Sequence, residues 1–225
     1  LIKLILAIVT STGTVMLPHI ANLYANKKTK QVKKYLYISF DFVLAISIPM
    51  TFGVAAIATA LAPWFFGSQF TSVNILLMIE APVIILIGLS NVIGQQYLLP
   101  TRHTTTYTTS VVLGAVANVV VNIPLIIKWG VQGAMIATLL SELVVTIYQL
   151  FKVRRVLKMN KLFANFFKYM LSGFFMFVPV YIININSKIS TCSLIIQISI
   201  GLFIYIGMIL ILQPSILKQI KYLRK

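Results

Sequence analysis

Residues 74–99 read NILLMIEAPVIILIGLSNVIGQQYLL. One charged residue, Glu80, interrupts an otherwise uncharged run. As a helix rising 1.5 Å per residue the stretch spans roughly 39 Å, more than the ~30 Å hydrocarbon layer of a bilayer. A β-strand that crosses a membrane alternates apolar and polar residues, and Ile75-Leu76-Leu77-Met78-Ile79 shows no alternation. In lipid each backbone group needs an internal partner, so the run reads as a transmembrane helix.

The pattern recurs along the chain. Apolar segments lie near 1–18, 35–65, 74–99, 106–127, 131–151, 167–186 and 191–213. The first is short for a span and opens at Leu1 inside an apolar run, so it reads as truncated and the chain as a fragment lacking its N-terminal part. Hydrophobic residues make up 59% of the 225 residues and charged residues only 10%; a soluble domain sits nearer half and a quarter. Three acidic residues, Asp41, Glu80 and Glu142, cannot dress a water-exposed surface. The fold class is all-α: a polytopic transmembrane bundle of about seven segments.

The net charge of +16 would suggest a nucleic-acid binder in a soluble protein. Here the cations sit in short stretches between apolar runs, which is how a membrane protein records its orientation. Alternate connectors carry Lys27, Lys28, Lys30, Lys33 and Lys34, then Arg102, then the cluster from Lys152 to Lys168, then Lys218, Lys221, Arg224 and Lys225. The opposite connectors hold only Lys128 and Lys188. The positive-inside rule puts the rich side and the C-terminus in the cytoplasm and the 66–73 connector outside, in a cytoplasmic membrane. Pro63-Trp64-Phe65-Phe66 then falls at the outer interface, a usual place for aromatic rings. The connector from Lys152 to Lys168 interleaves bases with Phe163, Phe166 and Phe167 and reads as a short interfacial amphipathic helix drawn to anionic lipid. Cys192 is a lone cysteine, and His19 and His103 are far apart, so no metal site or cofactor is expected.

Polar residues inside apolar helices are the informative ones. Glu142 lies near the middle of segment 131–151, with Thr138, Thr146 and Gln149 on its helical face. It reads either as an ion- or proton-responsive group or as a neutral partner in an interhelical hydrogen bond. Ser110, Gly114, Asn118 and Asn122 recur every four residues, a stripe suited to close helix packing and, less directly, to substrate contact. Asn91 and Gln95 share a face with Gly88 one turn earlier. Asp41 and Glu80 lie close enough to helix ends to reach the interface. Pro49 with Gly53, and Pro82, are candidate hinges because proline removes a ladder bond. No grouping suited to catalysis occurs, so an enzyme is not expected.

The stretch Gly114-Ala115-Val116-Ala117-Asn118…Asn122-Ile123-Pro124, then Trp129-Gly130-Val131-Gln132-Gly133-Ala134-Met135-Ile136-Ala137-Thr138 and Glu142, resembles the polysaccharide flippases of the multidrug/oligosaccharidyl-lipid/polysaccharide exporter superfamily. Leu17-Pro18 ending a helix before a basic loop, Ile48-Pro49 with Gly53, and Asn91…Gln95 before Arg102 are similar to that family's pattern too. The resemblance implies one lobe of a MATE-like two-lobe transporter in residues 1–152. Residues 153–225 would add a basic connector, two further transmembrane helices and a basic cytoplasmic tail. It implies translocation of undecaprenyl-pyrophosphate-linked oligosaccharide units by alternating access, with polysaccharide polymerase machinery and membrane lipids as partners and no nucleic acid. The pathway candidates are then Glu142, Asn118, Asn122, Asn91 and Gln95. A proton- or cation-coupled drug antiporter of the same superfamily is the alternative, ahead of a membrane-embedded glycan polymerase or ligase and of a non-transporting structural membrane protein.

Overall fold

The structure, a computed structural model, describes residues 2–217. It is helical throughout the long apolar segments: α1 (Ile2–Ala25), α2 (Thr29–Phe66), α3 (Val73–Glu80), α4 (Val83–Ile93), α5 (Thr104–Val153), α6 (Met159–Leu162), α7 (Phe166–Asn186) and α8 (Thr191–Leu212). Six stretches are long and apolar enough to cross a membrane, with α3, α4 and the turn after them counting as one, Val73–Leu98. The fourth, α5, is 50 residues long and contains both expected segments 106–127 and 131–151. Gly130, at φ 56° and ψ −132°, breaks its helical backbone. Only glycine takes that conformation readily, so the chain folds back there into two antiparallel limbs.

The limbs match residue for residue about Gly130. Gln149 Nε2 donates to Ser110 Oγ at 2.9 Å, and Asn118 Nδ2 donates to Ser141 Oγ at 3.4 Å. A Cβ on Gly114 would collide with Val145, and one on Gly133 would lie on the Leu125 carbonyl group. The four-residue stripe on the first limb is therefore the seam of a helical hairpin, as small residues at such a seam allow.

Several boundaries differ from the sequence expectation. Helix α1 does not end at Leu17-Pro18 but runs through Pro18 to Ala25. Beyond the proline, Ile20 and Leu23 are buried in the core that includes Val32 and Leu36 of α2, and this packing holds the last turns. Lys27 turns the chain in the left-handed region at φ 56°. Lys30, Lys33 and Lys34, expected in the connector, lie on the first turns of α2 instead. Lysine is a good helix former, and Val32 and Leu36 supply buried positions four apart on that turn. The connector from Lys152 to Lys168 is not an amphipathic helix: its helix α6 is a single turn. Phe163 packs edge-on against Phe40 of α2, and Val153, Leu157 and Leu162 are buried, so these side chains turn into the bundle while Val156 and Phe167 stay exposed with the bases. Lys158 N–H also donates to the Tyr37 hydroxyl at 2.9 Å. The expected basic tail, Lys218 to Lys225, lies outside the described residues.

Helix α2 is the centre of the bundle, with α1, α3 and α4 on one side and α7 and α8 on the other. Its prolines at 49 and 63 leave it continuous over 38 residues. The third span is less regular. Pro82 separates α3 from α4, and after α4 the chain widens into a π-helical turn over Gly94–Leu98.

The hairpin seam gives a direct test. Gly133→Ala should lower unfolding stability by about 2 kcal/mol, because backbone rather than a flexible side chain blocks the new methyl. Gly207→Ala, whose Cβ would meet open space, should stay within about 0.5 kcal/mol of the parent in the same detergent titration.

Candidate functional site

The π-helical turn, α4 and the α5 hairpin enclose a cavity of about 530 Å³. Each wall is placed by a feature already described. The π turn shifts the helical register, leaving Gln95 on the cavity wall while Gln96 is fully buried. Gly94 has no side chain, which lets the Tyr107 ring and the Gln149 amide approach its backbone. The hairpin seam contributes Gly114 and Asn118 from one limb and Thr138, Ser141, Glu142 and Gln149 from the other. Ser90 and Asn91 of α4 complete the polar lining.

Four of the five pathway candidates thus meet at one site: Glu142, Asn118, Asn91 and Gln95. Asn122 stands one turn beyond Asn118, off the lining, and its buried Oδ1 has no hydrogen-bond partner in the protein. The buried Asn91 Oδ1 is likewise unpartnered. Of the residues expected on the Glu142 face, Thr138 and Gln149 do line the cavity. Thr146 instead donates its hydroxyl to the Leu86 and Glu142 carbonyls, tying the second limb to α4. The lining carries one carboxylate and no cation, with amides, hydroxyls and the Tyr107 ring around it. Such a wall offers neutral hydrogen bonds and a single carboxyl group. Among the described residues no cluster of His, Cys, Asp or Glu has the composition to hold a metal ion.

A second cavity, of about 710 Å³, lies between α1, α2, α7 and α8 and is almost wholly apolar. The hinge candidates Pro49 and Gly53 are on its wall. Pro82 is elsewhere, at the break between α3 and α4, where Thr51 of α2 donates its hydroxyl to the Ala81 carbonyl at 3.1 Å.

The sequence reading missed a buried polar group. Asp41 does not reach for the interface; it is only 6% exposed, and its Oδ1 accepts from Asn165 Nδ2 at 2.9 Å and from the Tyr169 hydroxyl at 3.0 Å. Both donors belong to the α7 end of the chain, more than a hundred residues away, so no local spacing could have paired them. A matching network lies toward the other end of α7. Thr59 donates to Asn184 Oδ1, Asn184 Nδ2 donates to Gln197 Oε1 at 2.8 Å, and Gln197 Nε2 donates to Ser193 Oγ at 3.0 Å. Tyr169 and Tyr205 each carry a hydrogen bond between helices.

Comparison with known proteins fits this architecture. The fold is similar to a solved structure titled lipid II flippase MurJ, inward closed conformation, with a TM-score of 0.78 and 21% identity, over 92% of this chain and 43% of that one. A curated relative, the probable low-salt glycan biosynthesis flippase Agl15 of Haloferax volcanii, is 23% identical over 208 residues, 91% of this chain and 43% of its own length. The chain therefore spans less than half the length of these relatives. The family model described as lipid II flippase MurJ matches residues 1–206. The residues had suggested a flippase of the polysaccharide repeat-unit type; the family matched is a flippase family of a different branch. With that match over most of its length, on a multi-pass helical bundle, the chain belongs to the MurJ lipid II flippase family.

Proposed function

We propose that this chain is one lobe of a transporter that carries a lipid-linked glycan across the cytoplasmic membrane, without covalent chemistry. The observation that carries the reading is the family match over residues 1–206. The substrate class is a polyprenyl-pyrophosphate-linked saccharide of the lipid II or oligosaccharide repeat-unit kind. Residues 1–152 form the lobe proper, and 153–225 supply the connector and two accessory helices. The whole protein acts by alternating access, in which the lobe rocks against the remainder of the molecule. Polysaccharide polymerase machinery is the downstream partner.

The cavity supports a path for a polar headgroup. The buried Asn91 Oδ1 is costly to leave without a hydrogen-bond donor, and the amide of Gln95 and the bonded groups of Asn118, Thr138 and Ser141 extend the polar wall beside it. Glu142 takes the role of the group whose charge state or hydrogen bond changes during the cycle, and Asn122 extends the polar track by one turn. The outward residues of the α5 hairpin, among them Val112, Val116, Val119, Val120 and Ile127, are apolar and more than half exposed. They suit contact with lipid tails or with the rest of the transporter. Pro49, Gly53 and Pro82 let α2 and the third span bend as the lobe moves. The presence of a carboxylate in the cavity also suits a proton- or cation-coupled drug antiporter, and the two readings separate in the cell.

Depletion of the full-length protein should accumulate lipid-linked glycan on the cytoplasmic side, measured by leaflet-resolved labelling of the saccharide. Unchanged delivery together with new sensitivity to cationic drugs would favour the antiporter. Glu142→Gln, with membrane insertion intact, should slow transport at least tenfold; full activity would remove Glu142 from the mechanism. For orientation, a reporter fused at Ser68 should be active only outside and one at Asn160 only in the cytoplasm, as the clustered cations require.

A further inference from the structure

Helix α2 crosses the bundle with a proline at its middle. Pro49 has no amide hydrogen, so the carbonyl four residues earlier, that of Ala45, loses its helical donor. Outside a membrane water would fill that place; in an apolar interior an unmet carbonyl is costly. The Tyr205 hydroxyl of α8 donates to Ala45 O at 2.8 Å. Tyr205 is 7% exposed and, with Ala45, Pro49 and Gly53, forms part of the wall of the apolar cavity. The other polar side chains on that wall are engaged elsewhere. Trp64 Nε1 donates to Thr191 Oγ1 at 2.9 Å, and the Gln197 amide is bound to Asn184 and Ser193. Tyr205 is thus the group that replaces the missing amide.

Its setting gives that bond a mechanical role. On either side of Ala45, α7 and its N-terminal cap hold α2 through Asp41, bound to Asn165 and Tyr169, and through Thr59, bound to Asn184. Just past Pro49, Gly53 presents no side chain, and a Cβ there would meet only Met176 Cε at 3.8 Å. The backbone between the two outer anchors is therefore weakest where Tyr205 touches it.

We propose that Tyr205 is a positioning residue whose hydroxyl sets the bend of α2 at Pro49, so that α8 governs how far the outer half of α2 swings. Loss of the hydroxyl leaves Ala45 O unpaired, and the freed carbonyl tilts outward, sharpening the kink. A 20° change about Pro49 moves the outer end of α2 sideways by roughly 9 Å, given the length of helix beyond it.

The test uses the full chain in lipid nanodiscs with Cys192→Ser and spin labels at Phe66→Cys and Ile127→Cys, both exposed. Tyr205→Phe should broaden or shift the distance distribution by several ångströms in pulsed electron resonance. In a Pro49→Ala background, where residue 49 again donates to Ala45, Tyr205→Phe should change nothing. An unaltered distribution in Tyr205→Phe, or an equal change with and without Pro49, overturns the proposal. Should Tyr205→Phe fail to fold, recovery of folding in the double variant supports it, and failure of both shows that the hydroxyl acts otherwise than by meeting the carbonyl freed at Pro49, which overturns it. The readout needs no substrate, so it succeeds or fails apart from the transport reading.

Discussion

Water is absent from the middle of a bilayer, and every backbone carbonyl that a proline uncovers there must find a donor within the protein. This constraint organises the bundle around α2. Beside the break at Pro82, Thr51 of α2 donates to the Ala81 carbonyl, and the carbonyl that Pro49 uncovers is met from α8 by Tyr205. At these two prolines the irregularity of one helix is also a tie to its neighbour.

Side-chain polarity follows the same logic. Between apolar helices the hydrophobic effect supplies little adhesion, because lipid tails are as apolar as leucine. Close backbone approach and hydrogen bonds take over. The α5 hairpin uses glycine at 114 and 133 for approach and the Ser110–Gln149 pair for polarity. The junction of α2 with α7 uses a buried carboxylate and an amide chain instead, and Gly173 lets the Phe52 ring lie against the α7 backbone. The cavity brings Glu142 and the unpartnered Asn91 Oδ1 beside seam residues such as Asn118 and Gln149 that do carry such bonds.

Much of this was legible before the fold was known. Uninterrupted apolar runs located every long helix, because bilayer thickness is a length test that sequence can take directly. The stripe at Ser110, Gly114 and Asn118 was legible because four-residue spacing survives intact in a helix, and the turn at Gly130 then pairs it with the second limb. The ends of helices were not legible where lysines continue a helix beyond the lipid, as Lys30 to Lys34 do on α2. Nor were Asp41 and Tyr205, whose partners lie far along the chain. Position along a helix predicted an interfacial carboxylate, but only the docking of α7 decides that Asp41 is enclosed. The gathering of Asn91, Gln95, Asn118 and Glu142 depended on the π turn, which no propensity in Gly94–Leu98 announces.

The mirrored seam of α5 bears on how the protein is made. Its tip, around Lys128 to Gly130, exposes one cation stacked over a tryptophan. A pair of limbs that satisfy one another across a tip so lightly charged is suited to leave the ribosome-bound insertion machinery as a single wedge. Entering lipid together, the limbs bring Asn118 in already bonded to Ser141 and Gln149 already bonded to Ser110.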